Sequence, residues 1–131
     1  MMAWVHAAVG AALGGHIGDS HAAVAGGVAS HLICDLLPHR DYEMPVELPL
    51  LSCALAFIAW RHGVRSSQMA GALGTILPDV ENGLERLGVV SGTLFPTHTK
   101  RSWYIGHGRK VSSPLPQVAL AVLCLLLAEH S

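Results

Sequence analysis

The chain is 131 residues long, enough for one domain with one core, and residues 1–131 read as a single unit. Hydrophobic residues make up 51% and charged residues 13%, against roughly 25% charged in ordinary soluble domains, and the mean hydropathy is +0.44. The net charge of −1 leaves no basic footprint for nucleic acid, and nine histidines against eight Lys and Arg direct attention to metal chemistry.

Ala3 to about Leu13 predicts a first helix rich in alanine. Gly14-Gly15-His16-Ile17-Gly18-Asp19-Ser20 predicts a break, with Ser20 as the cap of a second helix over His21–Leu37. Pro38–Pro45 reads as a polar loop, and Val46–Arg61 as an almost uniformly apolar third helix ended by His62-Gly63. Ser66 or Ser67 caps a fourth helix through Leu77, with a short helical turn over Glu81–Leu87. Val89–Ser113 is glycine-rich, polar and aromatic and reads as loop; Pro114 or Pro116 opens a last helix ending near Glu129. A bilayer takes about 20 apolar residues to cross, roughly 17 at the least, and these runs approach that only with help from their flanks. The expectation is therefore an all-α fold, a small membrane-associated helical bundle of about five helices with short connections, with a soluble bundle as the alternative. Cys34, Cys53 and Cys124 lie singly in apolar runs and read as buried thiols without a disulfide. The first apolar stretch lacks a positive leader and carries His6 and His16, so no signal peptide is expected.

The chemistry concentrates in His31-Leu-Ile-Cys-Asp35-Leu-Leu-Pro38-His39-Arg-Asp41. His31 and Asp35 are four apart and share one helix face, and His39 and Asp41 follow the proline. Ile76-Leu77-Pro78-Asp79-Val80-Glu81 repeats the same order of two apolar residues, proline, ligand and acid. Antiparallel neighbours would bring His6, His39, Asp41 and Asp79 to one end of the bundle, with His31 two turns and Asp35 one turn deeper and the loop carrying His98 and His107 passing by. Arg61 and Arg65 mark the other end. Each residue has a plainer reading: a helical hydrogen-bonded pair for His31 and Asp35, a dipole-facing cap for His39, solvated turn acids or supporting groups for Asp41 and Glu81, the start of the following turn for Asp79, a core histidine for His6. His16, His21, His62 and His130 read as structural. Imidazole and carboxylate ligands together suit zinc, with manganese or iron as substitutes. Trp4, Trp60, Trp103 and Tyr104 read as core or interfacial belt residues.

At these residues the chain resembles the small membrane-bound, metal-dependent hydrolases of bacteria that include the LexA-binding inner-membrane-associated hydrolases, and more distantly it is similar to zinc-dependent phospholipase C. The resemblance is carried by His6, by Ser30-His31-x-x-x-Asp35-x-x-Pro38-His39-x-Asp41-Tyr42, by Gly71-Ala72-Leu73-Gly74-x-x-Leu77-Pro78-Asp79 and by His98. His98-Thr99-Lys100-Arg101 stands where part of that group has a His-Arg-Gly-x-Thr-His-Ser segment. It implies a helical bundle in the bacterial inner membrane with a bound divalent metal. His6, His31, Asp35, His39, Asp79 and His98 would be its ligands.

The expected function is a membrane-associated hydrolase that turns metal-activated water on a phosphoester, with lipid as a candidate substrate and Asp41 or Glu81 moving the proton. The alternative is a non-catalytic membrane subunit with a structural metal, packing its small-residue faces against a second copy or a larger membrane complex; a transporter or metal carrier ranks third. Arg40, Lys100, Arg101, Arg109 and Lys110 gather at the metal end, so the excess of positive charge predicts that this end faces the cytoplasm. The same charges also suit a lipid-phosphate contact.

Overall fold

The structure, a computed structural model, describes residues 1–91, 94–95 and 108–131. Five helices follow one another in it: α1 (Ala3–Ile17), α2 (Ser20–Leu36), α3 (Met44–His62), α4 (Ser67–Arg86) and α5 (Leu115–Ala128). The fold is an all-α bundle with no strand among the described residues; a single isolated bridge joins His39 to Lys110.

α1 is apolar all round, which is the pattern of a helix surrounded by protein, and it packs against each of the other four helices. One face of α1 builds a core of Met2, Val5, Ala8 and Ala12 with Cys34, Ala121 and Cys124. The other face packs Ala7 and Ala11 on Ile58, Ala72, Ile76 and Ala128. The helix runs on through Gly14-Gly15 to Ile17 and stops at Gly18, whose φ of 76° only glycine adopts readily and whose N–H reaches the Gly14 carbonyl. The break expected at Gly14 is thus displaced. Gly14 lies buried against the backbone of Ser67, and that tertiary contact outweighs the roughly 1 kcal/mol by which glycine disfavours helix.

α2 is capped by Asp19 rather than Ser20, since the Asp19 carboxylate accepts from the Ala22 N–H at 2.8 Å. Asp19→Ala is expected to cost about 1 kcal/mol, a typical N-cap loss, while Ser20→Ala changes little. The difference is readable as a shift in denaturation midpoint. α2 ends where Leu37 turns extended ahead of Pro38. α3 begins at Met44, two residues earlier than expected, with Pro45 in its first turn, where a missing N–H does no harm. Only Ala54 and Ile58 of α3 are buried. α3 is long and apolar enough to cross a membrane. Its uncovered outer face also corrects the expectation for Cys53, which is exposed, whereas Cys34 and Cys124 are buried.

α4 starts as expected, with Ser66 Oγ accepting from the Met69 N–H at 3.0 Å. It does not end at Leu77. It continues through Pro78 to Arg86, so the second proline lies inside a helix and the sequence repeat is not a structural one. Pro78 is fully buried, and Gly74 before it lies against the backbone of Val24, so packing on both sides holds the helical path that proline alone would break.

Specific bonds set the helix directions. The Ala3 N–H donates to Glu47 Oε2 at 3.0 Å, joining the starts of α1 and α3, and Gln117 Nε2 donates to the Arg40 carbonyl at 2.9 Å, bringing the start of α5 to the same end. Arg61 of α3 and Glu129 of α5 pair at the opposite end. α2 and α4 run the other way, and α4 lies across both α1 and α2.

Candidate metal centre

Where α2 ends and α1 begins, three side chains meet. His6 on α1 places Nε2 3.1 Å from Asp35 Oδ1, and His31 on α2 places Nε2 3.1 Å from Asp35 Oδ2. Asp35 therefore bridges both imidazoles through its two oxygens. The rings of His6 and His31 stack with centroids 4.0 Å apart and planes 22° apart. All three residues are essentially closed to solvent.

α4 completes the arrangement because it stays helical past Pro78. Thr75 and Asp79 are four apart and share one face of α4. The Thr75 carbonyl accepts from His31 Nδ1 at 2.7 Å, and Asp79 Oδ1 lies 4.0 Å from His31 Nε2. That bond occupies Nδ1 as a donor and leaves Nε2, which faces two carboxylates, as the nitrogen available to a metal. This is how a metal-binding imidazole is usually oriented. His39 repeats the device. Its Nδ1–H donates to the Leu37 carbonyl at 2.7 Å, and its Nε2 lies 3.3 Å from Asp41 Oδ1. The amino group of Met1 lies 3.0 Å from Asp35 Oδ1 and 3.1 Å from Asp41 Oδ1, linking the two pairs.

Ligand atoms of His6, His31 and Asp79 lie within 4.8 Å of one another, so this group can hold a metal ion. Two further observations fit a cation here. His6 Nδ1 is buried and finds no hydrogen-bond partner among the described residues. Burial pushes the His6 pKa down from 6.5 to about 4, with the Asp35 hydrogen bond opposing and the charge of His31 reinforcing the shift. His6 is therefore neutral at pH 7, the form that donates a lone pair. Cys34, next to Asp35 in sequence, is pushed up to about 11 by burial, with the charge of Asp35 adding to the rise, and stays a thiol. The donor set is nitrogen and oxygen, which suits zinc, manganese or iron without deciding among them.

The expected residues divide clearly. His6, His31, Asp35 and Asp79 come together, with His39 and Asp41 beside them. Glu81 is engaged elsewhere: its carboxylate accepts the backbone N–H of Leu94 at 2.9 and 3.0 Å and of Phe95 at 3.2 Å, holding the segment that follows α4. His98, His107, Lys100, Arg101, Trp103 and Tyr104 lie outside the described residues. His21 is exposed at the far end of α2; His16 bonds the Ala12 carbonyl and His62 lies near Glu129, both away from the cluster.

Sequence reasoning misses two supporting side chains. Glu47 in the first turn of α3 accepts from the N–H groups of Ala3 and Tyr42, fixing the start of α1 and the loop after His39. Gln117 is buried and ties α5 to the Arg40 carbonyl. Their only signal in the sequence is that of isolated polar residues within apolar helices.

No protein-family model, curated protein or solved structure matches this chain.

Proposed function

We propose that this protein is a membrane-associated, metal-dependent hydrolase of phosphoesters, of the bacterial inner-membrane type that its motifs resemble. The observation that carries the reading is the group His6, His31 and Asp79, two buried imidazoles and a carboxylate with ligand atoms within 4.8 Å. The cluster is not sealed. The Asp79 side chain is 27% exposed and that of Asp41 40%, so one side faces solvent. A structural metal site is closed by its ligands, whereas a catalytic one keeps a position for water or substrate.

A divalent ion held by His6, His31 and Asp79, with Asp35 bracing the His6 imidazole through Nε2, would supply Lewis-acid activation of water at neutral pH. The protein's own groups do the rest. The Thr75 carbonyl holds His31 in one tautomer, and the Leu37 carbonyl does the same for His39. Asp41, at the exposed rim beside His39 Nε2, takes the proton of the attacking water as its oxygen bonds to phosphorus and the ester P–O bond breaks. Asp41 then passes that proton to the leaving oxygen, which restores its carboxylate.

Metal-loaded protein should hydrolyse bis(p-nitrophenyl) phosphate. Asp41→Asn should lower kcat by roughly 100-fold, within the range general-base groups supply, with bound metal retained. Stoichiometric metal with no turnover of any phosphoester would move the protein to the second reading, a membrane subunit with a structural metal. The exposed apolar face of α3 supports that alternative as a surface for a second copy or a larger membrane complex.

For location, the apolar length of α3 supports insertion in the bacterial inner membrane, and the cations at the metal end favour the cytoplasmic side for it. In a background lacking Cys34, Cys53 and Cys124, Arg109→Cys should resist a membrane-impermeant thiol reagent until cells are opened. Ready labelling in sealed cells would place the metal end outside.

A further inference from the structure

A groove of about 440 Å³ opens between the end of α2 and the start of α5, within the size range of small-molecule sites. Its walls are mainly apolar, from Met1, Leu37, Pro38, Val111, Pro116 and Leu120, with Ser112, Ser113 and Gln117 completing them. Two of them are joined to the metal centre. The Met1 amino group touches Asp35 and Asp41, and the Leu37 carbonyl holds His39 Nδ1. The third link is the backbone bridge. The His39 N–H donates to the Arg109 carbonyl at 3.0 Å and the Val111 N–H to the His39 carbonyl at 3.1 Å, so the wall residue Val111 is laced directly to a residue of the cluster.

The same bridge sets cations at this rim. Arg109 and Lys110 are exposed beside His39, and Arg40, also exposed, donates to the Ser112 carbonyl. At the other end of the bundle Arg61 is neutralised by Glu129. An apolar slot, a rim carrying Arg40, Arg109 and Lys110 alongside Asp41, and a candidate phosphoester-cleaving centre therefore follow one another over a few residues. Exposed apolar side chains stand at the slot: Leu37 in its wall is 46% exposed, and Leu115, next to Pro116 in the chain, is 71% exposed.

We propose that this groove seats one acyl chain of a membrane phospholipid whose phosphate lies at the His/Asp cluster, flanked by Arg40, Arg109 and Lys110. The phosphate end rests on the hydrolase reading; the acyl seat does not.

The test uses the full chain in detergent micelles doped with phosphatidylglycerol carrying a diazirine in one acyl chain, with adducts mapped by mass spectrometry. Light should place adducts on Leu37 and on residues 111–120. Val111→Trp and, separately, Pro116→Trp fill the groove and should lower those adducts about tenfold, as expected when a few methylenes are excluded, while adducts on α3 persist. A diacylglycerol bearing the same chain, without phosphate, should label the groove less. Wild-type adducts confined to the outer faces of α3 and α5 would overturn the proposal even if both variants misfold. So would groove labelling unchanged in either folded variant, or equal labelling by the two probes. Photolabelling needs no turnover. Groove adducts in a protein inert toward every phosphoester would keep the acyl seat and reject the hydrolase; turnover of bis(p-nitrophenyl) phosphate without groove adducts would do the reverse.

Discussion

Purified protein with His31→Ala is expected to come off the column without metal, where the wild type is expected to carry zinc, manganese or iron near stoichiometry. His31 is the residue through which the centre is joined: Nδ1 is held by the Thr75 carbonyl on α4, and Nε2 faces Asp35 on its own helix and Asp79 on α4. Removing it deletes a ligand, so the loss of affinity should exceed the roughly 10- to 100-fold typical of losing a supporting group. Asp35→Asn should fall within that supporting range, and the double change of His31 and Asp35 to alanine should abolish binding. His31→Ala also opens a cavity and strands a buried carbonyl, at about 2–5 and about 1–3 kcal/mol respectively, so it will melt early. His31→Gln separates the two effects. Its amide N–H₂ can donate to the Thr75 carbonyl and fill most of the space, yet it offers no imidazole nitrogen. Elemental analysis of His31→Gln showing full metal content in a folded protein would refute the centre as described.

Much of the fold and of this centre is legible in the amino-acid sequence, though one part of it only by a faulty route. His31 and Asp35 four apart, the stop at Pro38 and the cap at Ser66 are local features, and local physics decides them. Sequence reasoning brings Asp79 to the cluster by letting Pro78 end its helix as Pro38 does. Asp79 reaches the cluster because Pro78 does not end the helix: α4 continues, and Asp79 stands one turn beyond Thr75. Nothing local distinguishes the two prolines. The difference is burial, with Pro78 enclosed and Pro38 exposed. The role of Glu47 is hidden in the sequence for a related reason. An acid in the first turn of a helix has an ordinary explanation in the helix dipole, and only the approach of α1 shows that it holds the Ala3 N–H. The apolar length of α3 is legible from composition, and the structure adds that only Ala54 and Ile58 of it are buried.

Gly71→Ala should be among the most damaging single methyl groups that can be added to this protein. A Cβ on Gly71 would fall inside the contact distance of the Gly10 carbonyl oxygen on α1, and a Cβ on Gly10 would meet Thr75 Oγ1 and the Gly71 carbonyl in return. These are contacts between helix backbones, so no side-chain rotation relieves them; α1 and α4 must separate. Overpacking a core commonly costs about 1–3 kcal/mol, and a clash with backbone belongs at or above the upper end. The consequence reaches the metal. Gly10 is one turn from His6, and the Gly71 carbonyl accepts the Thr75 hydroxyl at 2.7 Å, one turn from Asp79. Forcing the helices apart at that crossing draws His6 away from His31 and Asp79, so metal should be lost along with stability. Gly83→Ala is the matched comparison on the same helix. Nothing lies within 4 Å of a Cβ there, and alanine in place of helical glycine should stabilise by roughly 0.5–1 kcal/mol. Denaturant melts and metal content of the two variants decide the matter. If Gly71→Ala melts with the wild type and keeps its metal, α1 and α4 do not cross this closely, and the mutual distances of His6, His31 and Asp79 lose their support.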